Sequence, residues 1–235
     1  MRSSLKVGLA AVAVIGVTAV AAPAEADTFT FTSCHISGST CEGGSITSPG
    51  FGSVTLTQSG TSVNFDVTLI NGNRFVETGA GAGELFLFND AIAGSTITNL
   101  TATLNGATVS ITGGLSGFTN LAPVHADGTG DFTASVECTL ASSCNGGSTP
   151  NINDLHFTVT NATLAQLETA NANGNLFVAD ILCGATQPQC AGLTGDVDVS
   201  TPGTRVPEPA TLAIFGTALA GLGLVTLRRR RRDEV

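Results

Sequence analysis

The stretch Val63-Asn64-Phe65-Asp66-Val67-Thr68-Leu69 alternates apolar and polar residues without a break. Successive side chains of a strand point to opposite faces. One face here therefore carries Val, Phe, Val and Leu, and the other Asn, Asp and Thr. That is the pattern of a half-buried strand. The alternation recurs at residues 29–32, 54–57, 132–138 and 155–160. Residues 84–88, 96–104 and 107–112 are further strand candidates. Residues 176–183 are apolar on both faces until Asp180, as in a central strand. Ser59-Gly60, Asn71-Gly72, Asn105-Gly106, Asp127-Gly128 and Asn145-Gly146-Gly147 punctuate these runs. Such pairs accept the positive φ that tight turns demand. The reading is all-β: roughly eight to ten short strands in an antiparallel β-sandwich of jelly-roll or Ig-like winding. Residues 163–168 lack alternation and follow Asn161, a candidate N-cap, so a short helix is expected there.

Both ends read as targeting segments. Arg2 and Lys6 precede an apolar run at 7–22, which leads to Ala24-Glu25-Ala26, a small-x-small cleavage pattern. This is the plan of a secretory signal peptide over 1–26, cut between Ala26 and Asp27. The β-sandwich domain is expected over 27–199 and a polar linker over 200–206. At the other end, residues 210–227 carry no charge. As a helix they span about 27 Å, enough for a single transmembrane crossing. Arg228, Arg229, Arg230, Arg231 and Arg232 then form a stop-transfer block on the cytoplasmic side. The main domain is thereby placed outside the cytoplasm.

Between the ends, residues 27–206 hold 14 Asp and Glu against two basic residues, Arg74 and Arg205. Nucleic acid binding requires a basic footprint that this span lacks. The span contains 11 Phe and no Trp or Tyr, which reads as core material without the usual aromatic platforms for sugars. All six cysteines lie here in three local couples: Cys34 and Cys41, Cys138 and Cys144, Cys183 and Cys190. An even count behind a signal peptide points to disulfides. Fifteen connectivities are open; the local pairing is favoured because each couple encloses a loop containing Gly, Ser or Pro. No C-x2-C or H-x3-H spacing supports a metal site.

The order of Pro207-Glu208-Pro209, an apolar run and an arginine block closely resembles the PEP-CTERM sorting signal of Gram-negative bacteria, here over 207–232. Two prolines hold that tripeptide extended. The resemblance implies recognition by an exosortase, a membrane cysteine-type transpeptidase, with cleavage near Pro207-Glu208-Pro209. It also implies an inner-membrane-tethered precursor and a processed domain at the cell surface or in an exopolysaccharide biofilm matrix. Phe51-Gly52-Ser53-Val54-Thr55-Leu56-Thr57, Phe75-Val76-Glu77-Thr78-Gly79-Ala80-Gly81 and Gly174-Asn175-Leu176-Phe177-Val178-Ala179-Asp180 are similar to stretches of PEP-CTERM proteins without an assigned activity.

No nucleophile elbow, P-loop, dinucleotide fingerprint or H-E-x-x-H occurs. His35, His125 and His156 are not grouped with any nucleophile in sequence. The expected function is thus non-enzymatic, with no catalytic residue and no cofactor. The alternative is a module binding calcium or polysaccharide, and behind it a secreted hydrolase. Asp127, Asp131, Asp196 and Asp198 are the carboxylates that spacing offers to calcium.

Overall fold

The structure is a computed structural model that describes residues 25–46, 49–77, 84–145, 152–200 and 204–207. Most of the expected signal segment, the run 210–227, Glu208, Pro209 and Arg228 to Arg232 lie outside the described residues. Among the described residues no helix is long and apolar enough to cross a membrane.

In chain order the strands are β1 (Glu25–Phe31), β2 (Ser33–His35), β3 (Gly44–Ser45), β4 (Gly52–Ser59), β5 (Ser62–Leu69), β6 (Arg74–Phe75), β7 (Glu84–Phe88), β8 (Thr96–Leu104) and β9 (Ala107–Thr108). There follow β10 (Leu115–Phe118), β11 (Val124–Ala126), β12 (Gly130–Phe132), β13 (Ala134–Cys138), β14 (Asp154–Thr160), β15 (Phe177–Leu182), β16 (Thr194–Val199) and β17 (Thr204–Pro207). Among the described residues one α-helix, α1 (Leu164–Leu167), precedes β15, and a 3-10 turn spans Ala141–Ser143. A seven-stranded sheet runs in the order β17-β1-β4-β5-β14-β8-β9. An eight-stranded sheet runs β10-β13-β7-β15-β16-β2-β3, with β6 also on β15. The strands pair antiparallel, an isolated bridge between Glu77 and Asn145 is parallel, and β11 and β12 form a separate ribbon.

The alternation of β5 explains how the sheets meet. Val63, Phe65, Val67 and Leu69 are buried, while Asn64 and Asp66 face solvent. Phe65 stacks on Phe157 of β14 at 4.6 Å and meets Phe88 of β7 at 5.0 Å. Phe29 of β1 meets Phe177 of β15 edge-on at 5.1 Å. Phenylalanines from both sheets therefore form one aromatic core, with ring geometries that add to area burial. Phe118, on the edge strand β10, is exposed and stands outside that role.

Several expectations need correction. Among the described residues strands number seventeen rather than eight to ten, because pieces of two or three residues carry no readable period. The stretch 132–138 is two elements. Thr133 breaks it where the chain leaves the ribbon for the sheet, and its Oγ1 accepts from the Asp90 N–H at 2.9 Å. Only Ala107–Thr108 of the stretch 107–112 is strand. Asn161 does not cap the helix; it sits in a turn at φ 55°. Thr163 is the N-cap, and its backbone N–H donates to Gln166 Oε1 at 3.0 Å. The stretch expected as linker 200–206 supplies most of β17. That strand pairs with β1 at Glu25↔Pro207, Ala26↔Val206, Asp27↔Arg205 and Thr28↔Thr204.

The six cysteines form Cys34–Cys41, Cys138–Cys144 and Cys183–Cys190. The first and last loops lie side by side, joined by the Thr40 N–H donating to the Gln189 carbonyl at 2.9 Å.

Candidate functional site

Three places bear on function: the outer face of each large sheet, and the edge where β1 meets β17.

On the seven-stranded sheet, alternation sends small polar side chains outward in rows. Register aligns Thr55, Asp66, His156 and Thr101 in one row. Thr57, Asn64, Thr158 and Thr98 form the next. Thr55, Asp66 and His156 of the first row and Thr57, Asn64 and Thr158 of the second line an open groove of about 420 Å³. Within it His156 Nδ1 lies 3.3 Å from Asp66 Oδ1, and Thr158 donates to Asn64 Oδ1 at 2.9 Å. A register shift in β8 opposite Phe157 inserts an extra residue beside the groove. Asn99 takes φ 54° there, and its Nδ2 reaches Thr158 Oγ1 at 3.5 Å. Bulges of this kind re-aim a side chain without ending the strand. Hydroxyls, amides and one carboxylate–imidazole pair suit hydrogen bonding to a polyhydroxylated ligand.

The outer face of the eight-stranded sheet is different, because the β11–β12 ribbon covers it. Ala126 and Phe132 of the ribbon pack on Leu87 and Val178 of the sheet. Beneath them Asp180 and Asp196 stand directly opposite on β15 and β16. With Glu84 they line a cavity of about 10 Å³, room for about one water and no organic substrate. Asp196 is 2% exposed, and its Oδ2 has no hydrogen-bond partner. Burial, followed by the neighbouring charges of Asp180 and Asp127, pushes its carboxyl up to about 9, against a backbone hydrogen bond from Asp127. Asp196 therefore holds a proton at neutral pH. Two like charges opposite each other on adjacent strands would otherwise repel. Asp198, also buried, is raised by desolvation and opposed by His35, whose Nε2 lies 2.8 Å from Asp198 Oδ2. Gly128 at the ribbon turn has φ 74°, and a Cβ there would run into the His35 ring. The ribbon tip thus rests on the His35–Asp198 pair.

The four carboxylates offered to calcium are engaged in different contacts. Asp131 pairs with His125 at 2.8 Å in solvent, Asp198 with His35, and Asp127 faces Asp196 through its backbone. Among the described residues no three His, Cys, Asp or Glu side chains are grouped to hold a metal ion. Sequence reasoning singled out Asp180 as a polar residue in an apolar strand but missed Glu84 as its neighbour. Only the sheet order brings them together.

The third place is the strand edge. β17 runs from Thr204 to Pro207 and has β1 as its neighbour. Its final residue is the first proline of Pro207-Glu208-Pro209. A proline is tolerated there because an edge position needs no further ladder N–H. No curated protein and no solved structure matches the chain. Residues 205–232 match the model of the PEP-CTERM protein-sorting motif. The match begins inside β17, so this domain leads directly from its sheet edge into a PEP-CTERM sorting signal, the hallmark of an exosortase substrate.

Proposed function

We propose that this protein is a non-enzymatic component of the cell surface or exopolysaccharide matrix of a Gram-negative bacterium. It is exported by the signal segment 1–26, tethered in the inner membrane through 210–227, and then cut by an exosortase. The sorting motif at 205–232 carries this reading. We assign the domain to the antiparallel β-sandwiches, with jelly-roll or Ig-like winding, on its two facing sheets and shared phenylalanine core. No catalytic role is given to Glu84, Asp180 and Asp196, since the cavity that they line is too small for a substrate. Deleting the exosortase is expected to move the protein from the surface fraction to the inner-membrane fraction. An unchanged distribution overturns the assignment.

The groove over Asp66 and His156 favours a second reading, in which the delivered domain binds polysaccharide. Its polar lining is hydroxyl, amide, carboxylate and the His156 imidazole, with Phe65 and Phe157 between them, and it is open to a chain lying across the strands. Binding of the host's exopolysaccharide is expected to weaken at least about tenfold in D66A and H156A, since each removes a directional contact to a sugar hydroxyl. Calcium alone is expected to leave the melting temperature unchanged. Equal binding by wild type and both variants removes the groove from consideration.

A further inference from the structure

The pairing of β1 with β17 joins the two ends of the domain that are processed. β1 begins at Glu25, two residues before the expected cut between Ala26 and Asp27. β17 ends on Pro207, where the sorting tripeptide begins. The strands are antiparallel, so chain enters β1 and leaves β17 at the same end of the sheet, on neighbouring strands about 4.8 Å apart.

The N-terminal cut acts unequally on the two strands. Of the four β1–β17 pairs, Glu25↔Pro207 and Ala26↔Val206 lie before the cut and are lost; Asp27↔Arg205 and Thr28↔Thr204 stay. On the other side of β1, only Ala26↔Thr57 of its six pairs with β4 is lost. The buried Phe29 and Phe31 keep what remains of β1 in the core. The cut therefore leaves β1 in place and halves the partners of β17, and the half removed is the one beside Pro207. A processing enzyme takes its substrate as free extended chain, and a segment paired in a sheet must open first.

We propose that residues Glu25 and Ala26 hold the start of the sorting signal against the sheet, and that removing them licenses the C-terminal cut. The two processing steps are then ordered, N-terminal before C-terminal. β1 is a positioning element for the exosortase reaction and touches none of its reacting atoms. The inference rests on the processing described under Proposed function.

The test is a pulse-chase in exosortase-containing cells, reading both termini by intact mass. The variant A24Y blocks the N-terminal cut and leaves every paired residue of β1 native. It is expected to slow loss of the tail at least about tenfold. T204P lies outside the matched motif and removes an N–H from β17. Alone it is expected to be processed at least as fast as wild type, and in A24Y/T204P to restore tail removal while the N-terminus stays uncut. Tail removal from A24Y at the wild-type rate overturns the proposal alone, as does a double variant that stays as slow as A24Y. A wild-type chain that keeps its tail in these cells overturns the sorting assignment and the proposal together.

Discussion

Reduction of the three disulfides is expected to lower the stability of the domain by roughly 7 kcal/mol, which is the size of a typical domain's whole margin. The bridges span separations of 7, 6 and 7 residues. Closing loops of that length restricts the unfolded chain by about 2–3 kcal/mol apiece in the chain-entropy account. Each bridge also pins a joint that the sheets leave loose. Cys34–Cys41 and Cys183–Cys190 close adjoining loops, and Cys183–Cys190 closes the connection between β15 and β16. Cys138–Cys144 closes the end of β13, where Glu77 Oε1 accepts from the Cys138 N–H at 2.8 Å. Urea titrations with and without reductant measure the effect, and C183S/C190S gives the share of one bridge. Coincident curves would show that the core needs no covalent support.

Asp196→Asn is expected to stabilise the domain by up to about 4 kcal/mol at pH 7, an unusual direction for a change at a buried site. The carboxyl moves from an ordinary 3.8 to about 9 on folding, chiefly through burial. Between those values the folded chain binds a proton that the unfolded chain does not. Stability therefore falls as pH rises through this window, by about 1.4 kcal/mol per pH unit for one proton. Below the window both states are protonated and the penalty is absent. Asparagine keeps an oxygen for the Asp127 N–H and presents its NH2 toward the carboxylates around it. It removes the need to take up a proton. Melts at pH 4, 7 and 8.5 should show wild type and D196N nearly equal at the lowest pH and diverging upward. Asp198, Glu77 and Glu137 are also raised by burial, so D196N is expected to flatten the wild-type slope without abolishing it. Parallel profiles would mean that Asp196 is ionised in the fold.

What the sequence reveals depends on the length over which a force acts. β5 and β14 are legible because seven or eight residues of strict alternation leave one face to bury. β2, β3, β6, β11 and β12 are too short for a period, and their partners are set by sheet order. The turn at Asn105-Gly106 was readable from residue chemistry, and both residues take positive φ. The N-cap was misplaced by two residues because Asn161 suits a left-handed turn as well as an N-cap. The carboxylate cluster was half legible. Asp180 stands out in an apolar strand, but pairing it with Asp196 and Glu84 requires the order β7-β15-β16. The sorting signal was legible because its recognition depends on a linear order of residues. The strand that leads into it was not, since the partner of Val206 is Ala26, at the far end of the domain.

The intact mass of the protein recovered from exosortase-containing cells, set beside that from cells lacking the enzyme, tests the central claim most directly. Processing at both ends predicts a chain that starts at Asp27, lacks residues 210–235 and is lighter by the six hydrogens of three closed disulfides. In cells without the enzyme the tail should remain. A chain that carries residues 210–235 in both would contradict the account.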